Sequence, residues 1–356
     1  FVSKAAVSQG TIRARPVFLL PLSIRHLGVC AAALLAGVTG AVAQADKPVL
    51  TVYTYESFTP EWGPGPKIEA GFEAVCACDL QFVGLEDGVA ILNRLKLEGP
   101  STEADIVLGL TTDLLPEAKA TGMFAPSGAD LSGLDVPTGF SDEIFVPYDY
   151  SYLAFVYDSE VIAEPPASLD DLVNGDPEVK IAIEDARTST PGLGMMLWMK
   201  KVYGDEAAAK WAHLSKRILT VTPGWSEAYG LFTSGEVPMV LSYTTSPAYH
   251  MIEEDTDRYQ AAAFAEGHYL QIEVAAMLKT TETAELATRF LDYMLTAEVQ
   301  SLIPTTNWTL PVADGIDLPE AFGRLVQVDT PLMIDPETVA ANRKAWTQEW
   351  LEAIGR

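Results

Sequence analysis

The chain has 356 residues, with 23 Lys and Arg against 49 Asp and Glu, for a formal net charge of -26. So acidic a chain is not a general nucleic-acid binder, because phosphate affinity comes mainly from Lys and Arg, and it suits an anionic membrane surface poorly. An apolar content of 48% with 20% charged residues is globular and excludes wholesale disorder, and the length suits two domains or lobes.

Residues 1–45 hold four basic residues (Lys4, Arg13, Arg15, Arg25) and no acid, which leaves a net of -30 on the rest. Arg25 and His26 precede an apolar run, Leu27 to Val38, and Gly40-Ala41-Val42-Ala43 then offers an A-x-A cleavage pattern. A basic start, a short apolar stretch and small residues make a secretory signal, here spanning 1–43 with cleavage near Ala43. The chain begins with Phe, so residues 1 to about 22 read as lying upstream of the true start. A lipoprotein reading through Cys30 is weaker, since Val29 is bulky and an apolar run follows the cysteine. The mature chain is expected to be soluble and periplasmic.

Val49–Tyr55 reads as a strand, residues 66–74 as a helix opened by Pro66, and Leu80–Val83 as a second strand. Between them, Cys76-Ala77-Cys78 admits a disulfide, which export permits, or two free thiols; it is half a zinc site at most. Asp87-Gly88 then opens a helix over Val89–Leu97, with Val89, Ile91, Leu92, Leu95 and Leu97 as its apolar face. Ala104–Leu110 is a third strand. This β-α-β-α-β order predicts a parallel sheet with helices on both faces, and ligands of such sheets bind beyond the carboxyl ends of the strands.

Ile144–Asp158 is a long aromatic strand suited to crossing between lobes, and Leu270–Leu278 is the return crossing. Between them lies a second α/β unit. Its strands are 180–184 and 238–243, and its helices are 190–203, 205–215 and 225–232. Helices near 284–295, 297–303 and 336–353 complete the chain.

Two helix starts share one pattern. Thr190-Pro191 and Ser246-Pro247 each place a capping hydroxyl before a first-turn proline, and each follows a predicted strand. Ordinary capping competes there with a polar ligand pocket. Tyr53 and Tyr229 read as core. Trp225, after Pro223-Gly224, and Trp308, in the polar loop Thr306-Asn307-Trp308, read as facing a cleft. Aromatic faces beside a carboxylate suit an organic cation. No nucleotide-binding glycine loop, metalloprotease helix or nucleophile elbow occurs, and His213, His250 and His268 have no nucleophile near them in sequence. No cofactor, catalytic residue or metal is expected.

The segments VLTVYTYESF, LEDGVAILNRLKLEG, FVPYDYSYLAFVYD, RTSTPGLGMMLWMKKVYGD, VTPGWSEAYGLFTSGE, LSYTTSPAYH and TNWTLPVA resemble the periplasmic thiamine-binding proteins of bacterial ABC importers, over about Lys47 to Arg356. The resemblance implies an α/β, two-lobed type II periplasmic binding protein fold. Each lobe is a mixed, mostly parallel sheet flanked by helices, with two crossing strands as hinge. Residues 47–147 and 272–356 form lobe 1 with the C-terminal helices, and 148–271 form lobe 2. It also implies ligand contacts at Asp87, Gly88, Ser189, Thr190, Trp225, Tyr243, Thr244, Thr245, Ser246 and Pro247, with Tyr55, Tyr249 and Trp308 as aromatic walls. Asp87 would balance the thiazolium cation, and thiamine phosphate or thiamine pyrophosphate would place its phosphate near Ser189 and Thr190. The implied partners are an inner-membrane permease and a separate ATPase; the oligomeric state is left open by the sequence, with a monomer as the default expectation. Glu56 stands where the family pattern suggests Asp. Competing readings are a ferric-ion or polyamine binder on the same fold, and a thiaminase-I-like enzyme using a cysteine.

Overall fold

The computed structural model describes residues 47–329 and 331–355. The expected secretory signal, its cleavage near Ala43, Cys30 and the upstream extension lie outside the described residues. Among the described residues no helix is long and apolar enough to cross a membrane.

The strands in chain order are β1 (Val49–Tyr55), β2 (Asp79–Leu85), β3 (Ile106–Thr111), β4 (Val146–Asp158), β5 (Ile181–Glu184), β6 (Ile218–Thr222), β7 (Met239–Tyr243), β8 (Tyr259–Ala261), β9 (His268–Met277), β10 (Leu310–Pro311) and β11 (Pro331–Leu332). The helices are α1 (Gly65–Cys76), α2 (Gly88–Glu98), α3 (Leu115–Ala120), α4 (Leu169–Asn174), α5 (Thr190–Tyr203), α6 (Ala207–Leu214), α7 (Trp225–Thr233), α8 (Pro247–Glu253), α9 (Ala284–Met294), α10 (Ala297–Gln300), α11 (Ile303–Thr306) and α12 (Pro336–Ala353).

The main path of the sheet runs β2-β1-β3-β9-β4-β7-β5-β6. β1 is parallel to β2 and β3, and β5 is parallel to β6 and β7. Between these two parallel trios lie the long strands β4 and β9, antiparallel to each other and to the inner strand of each trio. Residues 146–152 of β4 pair with β9, and residues 153–157 pair with β7. The chain therefore passes between its two halves along these strands, in the two-lobed α/β architecture.

Both faces of the sheet are covered. Leu50 and Val52 of β1 pack with Ile68 and Phe72 of α1 and Phe290 of α9, while Tyr53 joins Val89, Leu92 and Leu95 of α2. Leu97 departs from its expected place on that apolar face and is 88% exposed. It lies two residues beyond Leu95, about 200° around the helix, and so points away from the stripe. In the second half, Ala182 and Val240 pack under Ala228 and Phe232 of α7. α12 contacts both halves: Arg343 pairs with Glu117 of α3, Glu349 with Lys200 of α5 at 2.6 Å, and Trp350 meets Trp211 of α6 at 6.2 Å. Cys76 and Cys78 are disulfide-bonded at the end of α1, with Ala77 between them in the left-handed conformation.

β3 carries a bulge between Leu108 and Leu110, with Gly109 at φ 106°. A Cβ on Gly109 would sit 2.4 Å from Tyr55 Cδ1. The missing side chain makes room for the Tyr55 ring against the strand at the carboxyl edge of the sheet.

Candidate ligand-binding cleft

A cleft of ≈ 400 Å³ opens at that edge. It is lined by Tyr55 at the end of β1, Asp87 before α2, Trp225 at the start of α7, Tyr243 at the end of β7, Tyr249 on α8, Glu273 on β9 and the segment Thr306–Thr309. Elements from both halves of the sheet thus build one site.

Its walls are aromatic. Trp225 stacks on Tyr229 with centroids 4.7 Å apart, and its Nε1 donates to Ser242 Oγ at 2.8 Å. Tyr229 lies under Trp225, lines the cleft, and bonds His250 Nε2 at 2.8 Å, so it is both core and wall. Trp308 sits at φ 59°, an uncommon conformation for a bulky residue, and meets Tyr249 edge-to-face at 5.3 Å. Strain of this kind persists where the surrounding structure enforces it, and here it belongs to a wall of the cleft.

Of the residues expected at the site, Tyr55, Asp87, Trp225, Tyr243, Ser246, Tyr249 and Trp308 line the cleft. Gly88, Ser189, Thr190, Thr244, Thr245 and Pro247 are buried behind it. Ser189, not Thr190, caps α5: its backbone is extended and its Oγ accepts from Gly192 N. Thr190 is the first helical residue, and its hydroxyl turns to Asp87. Ser246 is not a cap either. Its backbone is already helical, and its Oγ bonds Ser242 Oγ at 2.8 Å and accepts from Tyr243 N. Thr245 Oγ1 pairs with Ser151 Oγ at 3.0 Å. His268 is buried with Nδ1 2.8 Å from the Leu153 carbonyl.

Asp87 accepts from Ser189 Oγ at 2.8 Å, Thr190 Oγ1 at 2.7 Å and Gly88 N at 3.1 Å. Burial pushes its pKa up to about 6, against the pull of those donors. Deeper in the cleft, Glu273 of β9 stands in register opposite Asp149 of β4. Glu273 accepts from Tyr148 Oη at 2.5 Å and Gln271 Nε2 at 3.1 Å, and Asp149 Oδ2 accepts from Asn307 Nδ2 at 2.6 Å and Thr309 Oγ1 at 2.7 Å.

Sequence reasoning passed over Glu273, Asn307, Thr309 and Trp62 as lining residues. The first carried a usable signal: one carboxylate in the run LQIEVAAM, whose neighbours are all apolar or amide, is a charge placed in a strand buried on both faces. Trp62 lies in a loop without periodicity. Cys76 and Cys78 do not line the cleft. Among the described residues no group of three or more His, Cys, Asp or Glu side chains is placed to hold a metal ion.

Residues 101–327 match the family model for bacterial extracellular solute-binding proteins. The chain is 57% identical over 334 residues to the thiamine-binding periplasmic protein of Brucella abortus biovar 1 (strain 9-941), covering 94% of this chain and 100% of that one. It is 53% identical over 310 residues to the thiamine-binding periplasmic protein of Escherichia coli (strain K12), covering 87% and 94%. A solved periplasmic thiamin binding protein superposes with a TM-score of 0.85 at 53% identity, covering 87% of this chain and 97% of that one.

Proposed function

The chain belongs to the bacterial extracellular solute-binding proteins, and from that membership and its cleft we propose that it is the periplasmic substrate-binding component of an ABC importer for thiamine. The observation that carries the ligand is the cleft lining, where the aromatic faces of Trp225, Tyr249 and Trp308 stand with three charged residues, Asp87, Glu254 and Glu273, all acidic. Thiamine has a permanently cationic thiazolium and a flat aminopyrimidine. A desolvated cation over an aromatic face gains about 2 kcal/mol, so two or three such contacts supply about 4 to 6 of the roughly 8 kcal/mol that micromolar affinity needs.

Residues 47–147 with 272–356, and residues 148–271, act as two lobes that hinge on β4 and β9 and close on the ligand. Phosphate esters of thiamine seat their rings in the same way. Their phosphate stays at the solvent-open rim, because the Ser189 and Thr190 hydroxyls are committed to Asp87. The closed monomer, exported with its signal removed near Ala43, delivers its load to an inner-membrane permease driven by a separate ATPase. It is a receptor, not an enzyme. A thiaminase-like attack needs a free thiol in the cleft, and the two mature cysteines are joined to each other away from it.

Isothermal titration of the chain from about Gln44 tests this. The expected outcome is one-to-one binding of thiamine below micromolar Kd, with thiamine recovered intact. Absence of heat with both thiamine and thiamine pyrophosphate overturns the ligand. Cleavage of thiamine in the presence of a thiol acceptor overturns the receptor.

A further inference from the structure

The cleft presents three acidic side chains to a ligand: Asp87, Glu254 and Glu273. Asp87 has donors on both oxygens from Gly88, Ser189 and Thr190. Glu254 lies at the exposed rim, 43% accessible, and pairs with His250 Nδ1 at 2.7 Å. Glu273 is buried and lines the cleft, among the described residues no Lys, Arg or His pairs with it, and unlike the other two it has a second buried carboxyl opposite it.

Its surroundings make that unusual. Asp149 faces it across the β4–β9 pair, fully buried, and among the described residues Asp149 Oδ1 has no donor. Tyr55 from β1, Tyr148 from β4, Tyr243 from β7 and Asp87 from the α2 start are the other titratable groups bearing on it, and every one is an acid. The donors that reach the two carboxyls (Tyr148, Gln271, Asn307 and Thr309) are neutral. Two buried carboxyls side by side cannot both ionise without a cation, so they hold a proton between them. Burial and mutual repulsion raise both pKa values, in keeping with that shared proton.

We infer that Glu273, backed by Asp149, is the anionic floor of the cleft that selects a permanently cationic ligand, and that the ligand's charge displaces the proton the two carboxyls share. The inference rests on the thiamine reading of the cleft and assigns its cation subsite to a residue pair on the hinge strands. Loading is then coupled to proton release. A neutral ligand of the same shape leaves the proton in place and gains nothing from Glu273. Because β4 and β9 carry the pair, the cation also neutralises repulsion across the strands on which the lobes hinge.

The test titrates the wild-type chain in buffers of different ionisation enthalpy, between about pH 6 and pH 8. It uses thiamine and a neutral analogue in which an uncharged thiophene replaces the thiazolium. Thiamine is expected to release up to one proton and to bind more tightly as pH rises. The analogue is expected to release none and to show no pH trend. Glu273→Gln is expected to weaken thiamine by roughly thirtyfold while moving the analogue by less than about threefold. Tight thiamine binding with no proton release, or equal losses of both ligands in a folded Glu273→Gln variant, overturns the inference and leaves the thiamine reading standing. Failure of the wild type to bind thiamine overturns the thiamine reading itself. If Glu273→Gln does not fold, the wild-type comparison of thiamine with its neutral analogue still decides.

Discussion

At the scale of single residues, Trp225 has the strongest claim on binding energy. Its indole is fixed at one edge by Ser242 Oγ and on one face by Tyr229, so its other face is presented to the cleft without further loss of freedom. A preorganised, largely desolvated aromatic of this kind behaves as a hot spot. Trp225→Ala is expected to weaken thiamine by about 2 kcal/mol or more in a titration. Unchanged affinity removes Trp225 from the site. The position was legible in the sequence, because Pro223-Gly224 marks a turn and a Trp directly after it cannot be deep in a helix-packed core. Trp308 was legible for the same kind of reason, from the polar Thr-Asn beside it. Glu273 is invisible to an alternation test, which sees no polar face in a strand whose ten residues are all buried, and only its lone charge in an apolar run marks it. Ser189 and Thr190 were legible as a helix start, but which of the two caps and what their hydroxyls hold depends on Asp87, 102 and 103 residues away.

At the scale of elements, the starts of α2 and α5 are locked to each other. Asp87 caps α2 through Gly88 N and receives the two hydroxyls from the start of α5, while Ala90 N reaches the Thr188 carbonyl at 2.9 Å and Asn93 Nδ2 the Arg187 carbonyl at 3.0 Å. A Cβ on Gly88 would meet Thr190 Cγ2 at 2.7 Å, so glycine is what allows the two helix starts to touch. A carboxylate committed to three donors in this way is expected to act on closure more than on ligand charge. Asp87→Asn puts amide protons against hydroxyl donors. It is expected to lower affinity for thiamine and for a neutral analogue alike, and to enlarge the radius of gyration in small-angle scattering at saturating thiamine. Selective loss of thiamine with unchanged compactness would instead assign Asp87 to the ligand's charge. Helices α5, over its full length from Thr190 to Tyr203, and α12, from Pro336 to Ala353, were readable, because a first-turn proline opens each and each is long. The strand β6 and the helices α3 and α4 were not. At five and six residues they are too short for either period to stand above the background.

At the scale of the whole molecule, the interior holds an excess of carboxyls that are hard to ionise. Burial raises Asp87 to about 6 and Asp113 to about 7, the latter against the Tyr269 hydroxyl and the Arg343 charge. It raises Asp149, Glu273 and Glu184 as well, and among the described residues no other side chain donates to Glu184. In the unfolded chain such groups titrate near pH 4. Between about pH 4 and their folded values the native state thus holds more protons than the unfolded one, and stability falls as pH rises through that window. A second set runs the other way. Asp158 is held down by Arg258 and Asp170 by Lys210, and what these contribute is present above about pH 4 and lost below it. The second set is largely at the surface and weak, the first is buried and strong. The net charge of -26 adds self-repulsion at neutral pH. The apo protein is therefore expected to be most stable at mildly acidic pH, with a Tm higher at about pH 5 than at about pH 8. At fixed concentration, thiamine should raise Tm more at the higher pH, because there the cation meets carboxyls that have already lost their proton. Calorimetric scans across the range, with and without ligand, check both parts. An apo Tm that climbs steadily from pH 5 to pH 8 would mean that the buried carboxyls are compensated in the native state and cost it nothing when they ionise.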